Sequence, residues 1–310
     1  MKRILDCRAS DFRQMNREQL KQSIIATEGR TIISENVVTL SLLPEISNAE
    51  LSKAFGADMI LLNLFDVFHP QVKGVVPGNS FHPDADVEAG PDEDIVGKLK
   101  SMTGLPIGLN LEPVDDKADA VESLFKLPEG RRATAKSLTK AKDLGFDFIC
   151  LTGNPKTGVT NTQIEGAIRL AKEHFGGLII AGKMHGAGTK GRVTDLDASL
   201  RFVEAGADVI LLPAPGTVPG LREKELAKII TAVKDKGALT LAAIGTSQEG
   251  ADEATIREIA LSAKRAGADI FHIGDAGFGG IAVPENIQAL SIAIRGRRHT
   301  YIRMAASPLR

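Results

Sequence analysis

A short phrase returns four times along this chain, and its spacing limits what the chain can fold into. A glycine, one further residue and an aspartate open an apolar run: FGADMILLN at 55–63, LGFDFICLTG at 144–153, AGADVILLP at 205–213 and AGADIFHIG at 266–274. The glycines are Gly56, Gly145, Gly206 and Gly267, so the last three stand 61 residues apart and the first stands 89 before the second. Each phrase reads as a helix ending on a glycine able to take the left-handed conformation, with a strand beginning at once. Between phrases there is room for two helices and one more strand. A period of this kind implies repeated βα units.

The other strands fill the gaps. The pattern predicts strands at 31–35, 58–63, 106–112, 147–152, 178–183, 208–212, 239–244 and 269–273. Most are continuous apolar runs, as expected where both faces of a parallel sheet are buried. Helical periodicity lies between them at 161–175, 195–204, 222–236, 252–265 and 285–295. Eight βα units predict a (β/α)8 TIM barrel. A doubly wound sheet is the competitor, but no Gly-x-Gly-x-x-Gly turn follows the first strand. The chain of 310 residues reads as a single domain: a helical extension at 1–30 that plugs the barrel bottom, the barrel at 31–295 and a tail at 296–310. Ser10 or Asp11 is the expected cap of the first helix.

Composition narrows the partners. The net charge of −1 gives no electrostatic case for nucleic acid or membrane. No apolar run approaches the ~18 residues of a membrane span, and residues 1–20 lack a signal-peptide apolar core. Cys7 and Cys150 are the two cysteines, too few for a disulfide framework and suited to a reducing cytoplasm. A homo-oligomer is compatible with this composition.

In such a barrel, chemistry sits at the C-terminal ends of the strands. Lys183 and His185 close the fifth strand two residues apart, which in extended chain puts them on one face. A lysine ending an apolar strand is costly unless paired or used. Desolvation lowers its pKa and favours an amine nucleophile or base, with His185 as proton carrier. A purely structural Lys183, paired with a carboxylate from a neighbouring strand, is the alternative. Glu112 and Glu35 end the third and first strands and are candidate bases, partners of Lys183 or metal ligands. Asn63, Asn110, Thr152, Asn154 and His272 are candidate substrate contacts, and His272 reads equally well as a hydrogen-bonded core residue. Gly245 and Thr246 after the seventh strand, with Gly277, Gly279 and Gly280 after the eighth, suggest a phosphate cup of backbone N–H groups; tight βα turns would explain the same glycines. Asp275 beside that cup would repel a phosphate. Gly186, Gly188 and Gly191, with Lys190 and Arg192, offer a second anion clamp. His69, His82, His174 and His299 read as surface residues. Two long loops, 67–92 and 113–134, read as lids or binding loops; Arg131 and Arg132 in the second suit an anionic substrate. No His-x-His or His-x-x-x-His spacing occurs, so no metal ligands are assigned.

The strand openings and the glycine-rich last turn resemble the ribulose-phosphate-binding barrel superfamily over residues 31–295. TIISENVV, GADMILLNLFDV, LNLEPVD and GDAGFGG look like a bacterial family of unknown function loosely labelled phosphoenolpyruvate phosphonomutase-like. DAGFGG is similar to the Asp-Thr-Gly-Phe-Gly stretch of the phosphonomutase and isocitrate lyase family. In that family the stretch lies early in the barrel, within an acidic magnesium site. Here it follows the last strand, and no second aspartate precedes Asp275, so no magnesium ligands carry over. The superfamily resemblance implies a phosphorylated small-molecule substrate.

Three functions are compatible with these residues. The first is an aldol-type lyase or isomerase on a phosphorylated sugar or keto acid, needing no cofactor, with Lys183 and His185 assisted by Glu112 or Glu35. The second is a magnesium-dependent mutase or lyase on a keto acid, with Glu35, Asp66 and Glu112 as the available carboxylates. The third is a non-catalytic sensor that binds a sugar phosphate.

Overall fold

The computed structural model describes residues 1–75, 90–190 and 192–310. Eight parallel strands close into a barrel in sequence order. They are β1 (Thr31–Val37), β2 (Met59–Asn63), β3 (Ile107–Leu111), β4 (Phe148–Leu151), β5 (Leu178–Gly182), β6 (Val209–Pro213), β7 (Leu239–Ile244) and β8 (Ile270–Ile273). The wall closes where β8 meets β1, with His272 opposite Ile33. Every strand residue except Val37 is buried, which explains the unbroken apolar runs. The expected strands agree to within two residues at each end. The consequential difference is β5, which stops at Gly182 and leaves Lys183 in the loop.

The repeated aspartate has a structural cause. Asp58, Asp147, Asp208 and Asp269 stand just before β2, β4, β6 and β8. Each carboxylate accepts a backbone N–H from the foot of the preceding strand: Ile32, Ile107, Ile179 and Thr240, all at 2.9 Å. Each aspartate also holds a cation: Arg295 and Arg303 on Asp58, Lys100 on Asp147, Arg17 on Asp208 and Lys234 on Asp269. Gly56, Gly145, Gly206 and Gly267 end the helices before them with φ of 108°, 86°, 114° and 99°, so the chain turns sharply enough for the clamp to form. The sequence repeat is thus a fourfold clamp on the barrel bottom.

The helical extension closes that end. It comprises a 3₁₀ turn (Ile4–Asp6), α1 (Ala9–Phe12) and α2 (Arg17–Ile25), and it buries Ile4, Leu20 and Ile24. The expected cap is corrected: Arg8 is the N-cap of α1, and Asp11 sits inside the first turn, accepting the Arg8 N–H at 2.7 Å. Among the described residues, seven further helices pack outside the wall before the chain's last element. They are α3 (Asn48–Ala54), α4 (Ile95–Thr103), α5 (Ala135–Asp143), α6 (Asn161–His174), α7 (Leu196–Ala205), α8 (Glu223–Asp235) and α9 (Glu253–Ala266). The last element, α10 (Pro284–Met304), breaks at Gly296, where φ is 75°, and then continues as helix through the expected tail. Its Arg303 donates to Asp58 at 2.8 Å and to the Ile4 carbonyl at 2.6 Å, tying both ends of the chain under the barrel.

Both cysteines are free and buried. Among the described residues, no helix is long and apolar enough to cross a membrane. The middle of loop 67–92, including His82, lies outside the described residues, as does Gly191.

Candidate active site at the barrel mouth

Side chains at the strand ends meet in a polar network. Asn63, at the end of β2, is its hub. Its amide donates to Asn154 and Asp275, each at 2.8 Å, and its carbonyl oxygen accepts from Asn110 at 3.1 Å and Asn154 at 3.0 Å. Asn154 also donates to both oxygens of Glu112, from its backbone and its side chain, at 2.8 Å. Arg131 completes the coordination of Glu112 at 2.9 Å. Four candidates from the ends of three strands, β2, β3 and β4, namely Asn63, Asn110, Glu112 and Asn154, are therefore brought together. Thr152 is buried as well, its hydroxyl without a partner among the described residues.

Glu35 of β1 and His272 of β8 form a second unit deeper in the barrel. Glu35 Oε2 lies 3.0 Å from His272 Nε2, and both side chains are buried. Burial pushes the Glu35 carboxyl up to about 8, helped by Glu249 and Glu112. Burial also pushes His272 down to about 4. Both shifts favour the uncharged forms of the pair near neutral pH. The His272 Nδ1 has no hydrogen-bond partner among the described residues. His272 is fully covered, so its expected place as a substrate contact gives way to a core position against Glu35.

Lys183 pairs with neither Glu35 nor Glu112, contrary to one expectation, because His272 and Arg131 occupy those carboxylates. Its ammonium contacts the Thr189 hydroxyl at 3.4 Å, and among the described residues it forms no ion pair. Burial lowers its pKa. His185 accepts the Ala187 N–H at 3.0 Å through Nδ1. Burial lowers its pKa too, with Glu112 opposing and Lys183 reinforcing the shift. The loop beyond Gly182, rather than strand alternation, brings the two side chains within electrostatic reach. A cavity of about 980 Å³ opens beside His185, walled by Arg192, Thr217, Lys228 and Thr246.

The expected phosphate cup is divided. Gly245 leans on Met184, and Thr246 faces the cavity with its hydroxyl donating to the Thr217 carbonyl. Gly279 and Gly280 pack instead against the loop after β1, where a Cβ would meet Leu42 and Val37. A Cβ on Gly277 would collide with the Ile281 carbonyl. Between the two halves stands Glu249, in the 3₁₀ turn Gln248–Gly250 after β7. Its carboxylate accepts the Ala276 N–H at 3.1 Å, so the anion on this turn is the chain's own. Lys190 pairs with Asp119 and Arg132 with Asp116, which occupies two further expected anion contacts.

Sequence reasoning missed two site residues. Glu249 carries no motif, and its burial depends on the 3₁₀ turn. Asp275 had a signal, an aspartate directly after the last strand, which the sequence reads as repelling phosphate and as the first residue of DAGFGG. Burial pushes its carboxyl up to about 7, with Glu35 adding to the shift and Asn63 opposing it.

Magnesium does not fit this donor set. Glu112 is saturated by Arg131 and Asn154, and Glu35 faces His272. Asp66 accepts the Phe68 N–H at 2.9 Å. Among the described residues no group of three His, Cys, Asp or Glu side chains is placed to hold a metal ion.

A family model matches residues 5–310. The chain belongs to the DUF7916 family, described as a domain of unknown function. No curated protein matches it. Among solved structures it is similar to a provisionally named lyase/mutase from Burkholderia cenocepacia, at 17% identity and TM-score 0.49, covering 98% of this chain and 99% of that one. It is also similar to a thiamine phosphate pyrophosphorylase from Pyrococcus furiosus, at 17% identity and TM-score 0.47, covering 86% and 96%. A third is a 2,3-dimethylmalate lyase of the PEP mutase/isocitrate lyase superfamily, at 13% identity and TM-score 0.45, covering 83% and 79%. The reactions named on these barrels differ, and none transfers to this DUF7916 chain.

Proposed function

We propose that this protein is an enzyme of lyase or isomerase type that moves a proton next to the carbonyl of a small anionic substrate, a keto acid or phosphorylated sugar. The observation that carries this reading is Lys183. A structural lysine at the end of a buried strand should face a carboxylate; this one has a hydroxyl partner at 3.4 Å. An amine desolvated without a counter-charge shifts toward its neutral form, which is the form that attacks a carbonyl or removes a proton. His185 lines the cavity and is near enough to Lys183 to feel its charge, and is suited to pass protons to and from solvent. Glu112, locked by Arg131 and Asn154, orients the amide network. Thr246 and Arg192 on the cavity wall suit the anionic end of the substrate.

The test is solvent exchange, which needs no knowledge of the product. The protein is incubated in D₂O with a panel of 2-keto acids and sugar phosphates, and loss of the proton next to the carbonyl is followed by NMR. Exchange of at least one compound, lost in Lys183→Met, supports the reading. Saturable binding without exchange across the panel would make the protein a sensor.

A further inference from the structure

The turn after β8 is held with unusual care. Gly274 N donates to the Ile244 carbonyl at 2.8 Å, and Ala276 N donates to Glu249 at 3.1 Å. A Cβ on Gly274 would stand 2.5 Å from the Glu249 carboxylate, so the close contact requires glycine there. The residue between these anchors is Asp275. Its Oδ2 accepts from Asn63 at 2.8 Å, and its side chain is half-buried at the mouth. β8 and β5 stand three strands apart around the wall, with Asp275 and Lys183 each in the loop that leaves its strand.

We propose that Asp275 is a catalytic residue of this site, the carboxylate that takes the proton from the substrate carbon beside the carbonyl while Lys183 engages the carbonyl. This role rests on the enzyme reading above. In the step, the C–H bond breaks and its proton passes to the Asp275 carboxylate. The electron pair moves onto the carbonyl oxygen as an enolate, or onto the Lys183 nitrogen where an imine has formed. Asp275 then returns the proton to a carbon of the same substrate or fragment.

The groups facing Asp275 suit it to this work. Glu35 from β1 and Glu249 from the turn after β7 are like charges when ionised; His272 from β8 and Asn63 from β2 favour the carboxylate. Burial and Glu35 dominate and bring the carboxyl to about 7, where a proton carrier is efficient near neutral pH. Glu249 is a positioning residue: one oxygen holds the turn, and the other is buried with no hydrogen-bond partner among the described residues.

The test compares wild type with Asp275→Asn, in which the new amide oxygen still accepts from Asn63. Protein labelled with ¹³C at the aspartate carboxyl carbons should show one resonance titrating near pH 7 that is absent in Asp275→Asn. Deuterium exchange by wild type should rise through the same pH range, and the variant should lose at least about 100-fold in rate, the usual scale of general-base catalysis. Melting at the wild-type temperature excludes misfolding. Wild-type exchange left unaltered in rate and pH profile by Asp275→Asn overturns this role and leaves the enzyme reading intact. No exchange by wild type on any compound overturns the enzyme reading and this role with it.

Discussion

Asn63 donates to Asp275 at 2.8 Å and so joins the end of β2 to the turn after β8, bridging over β1 between them. This bond holds the Asp275 pKa down against burial. Asn63→Leu removes the donor and keeps much of the volume. The Asp275 midpoint should then move above about 7, read from the ¹³C-labelled carboxyl. A midpoint that falls would mean the amide acts on Asp275 only through its neighbours.

Lys183→Met should abolish deuterium exchange while leaving the melting temperature close to wild type, because a buried amine with no ion pair among the described residues is replaced by an apolar side chain. Lys183→Arg should not restore activity, since a guanidinium does not deprotonate. Borohydride in the presence of an exchanging substrate, followed by mass mapping, separates the two chemistries. An adduct on Lys183 identifies an imine; none, with exchange intact, identifies a non-covalent role at the carbonyl. Failure of the methionine variant to fold would show a structural role.

Glu35 gives the protein a pH-dependent stability. Its folded pKa of about 8 lies above the ordinary value of 4.5, so the folded state holds a proton that the unfolded chain has released. That contribution is complete below the unfolded value and is lost as pH rises through 8. His272 is depressed and works in the opposite direction, but only between about 4 and 6.5. Between pH 6.5 and 8 Glu35 should therefore lower stability by up to about 1.4 kcal/mol per pH unit. Asp275 should add to this up to about 7. Denaturant melts across this range should show the fall in wild type and a flatter profile in Glu35→Gln. A flat wild-type profile would place the Glu35 proton elsewhere.

Asp58→Ala strands two buried guanidinium groups, Arg295 and Arg303. Breaking a buried pair from one side costs about 3–5 kcal/mol, so chemical denaturation should show a large loss. Exchange at the mouth should survive wherever the variant is folded, because Asp58 lies at the opposite end of the wall. A loss under 1 kcal/mol would mean that water reaches the two arginines.

The barrel was legible because burial on both strand faces writes itself as apolar runs, and because the glycine and aspartate of each clamp are fixed by backbone geometry. Asn63, Asn110, Glu112 and Asn154 were legible as strand-end polar residues. Their mutual bonding was not, since it depends on strand register. The Glu35–His272 pair joins residues 237 apart in sequence, and only closure of the wall brings them together. The divided glycine cup marks the limit of motif reasoning. The same glycines serve backbone packing at 279 and 280, and a glutamate with no signature supplies the anion.

The four aspartates stitch the wall in twos, β1 to β2, β3 to β4, β5 to β6 and β7 to β8. Asp147, Asp208 and Asp269 do so at a constant 61-residue step, always at the end remote from the chemistry. A quarter of the barrel thus carries its own fastening and leaves its upper loops free to differ. Grafting one quarter in place of another should exchange what the mouth presents without unpicking the foot. Duplication followed by divergence of the upper loops is the simplest route to such a wall.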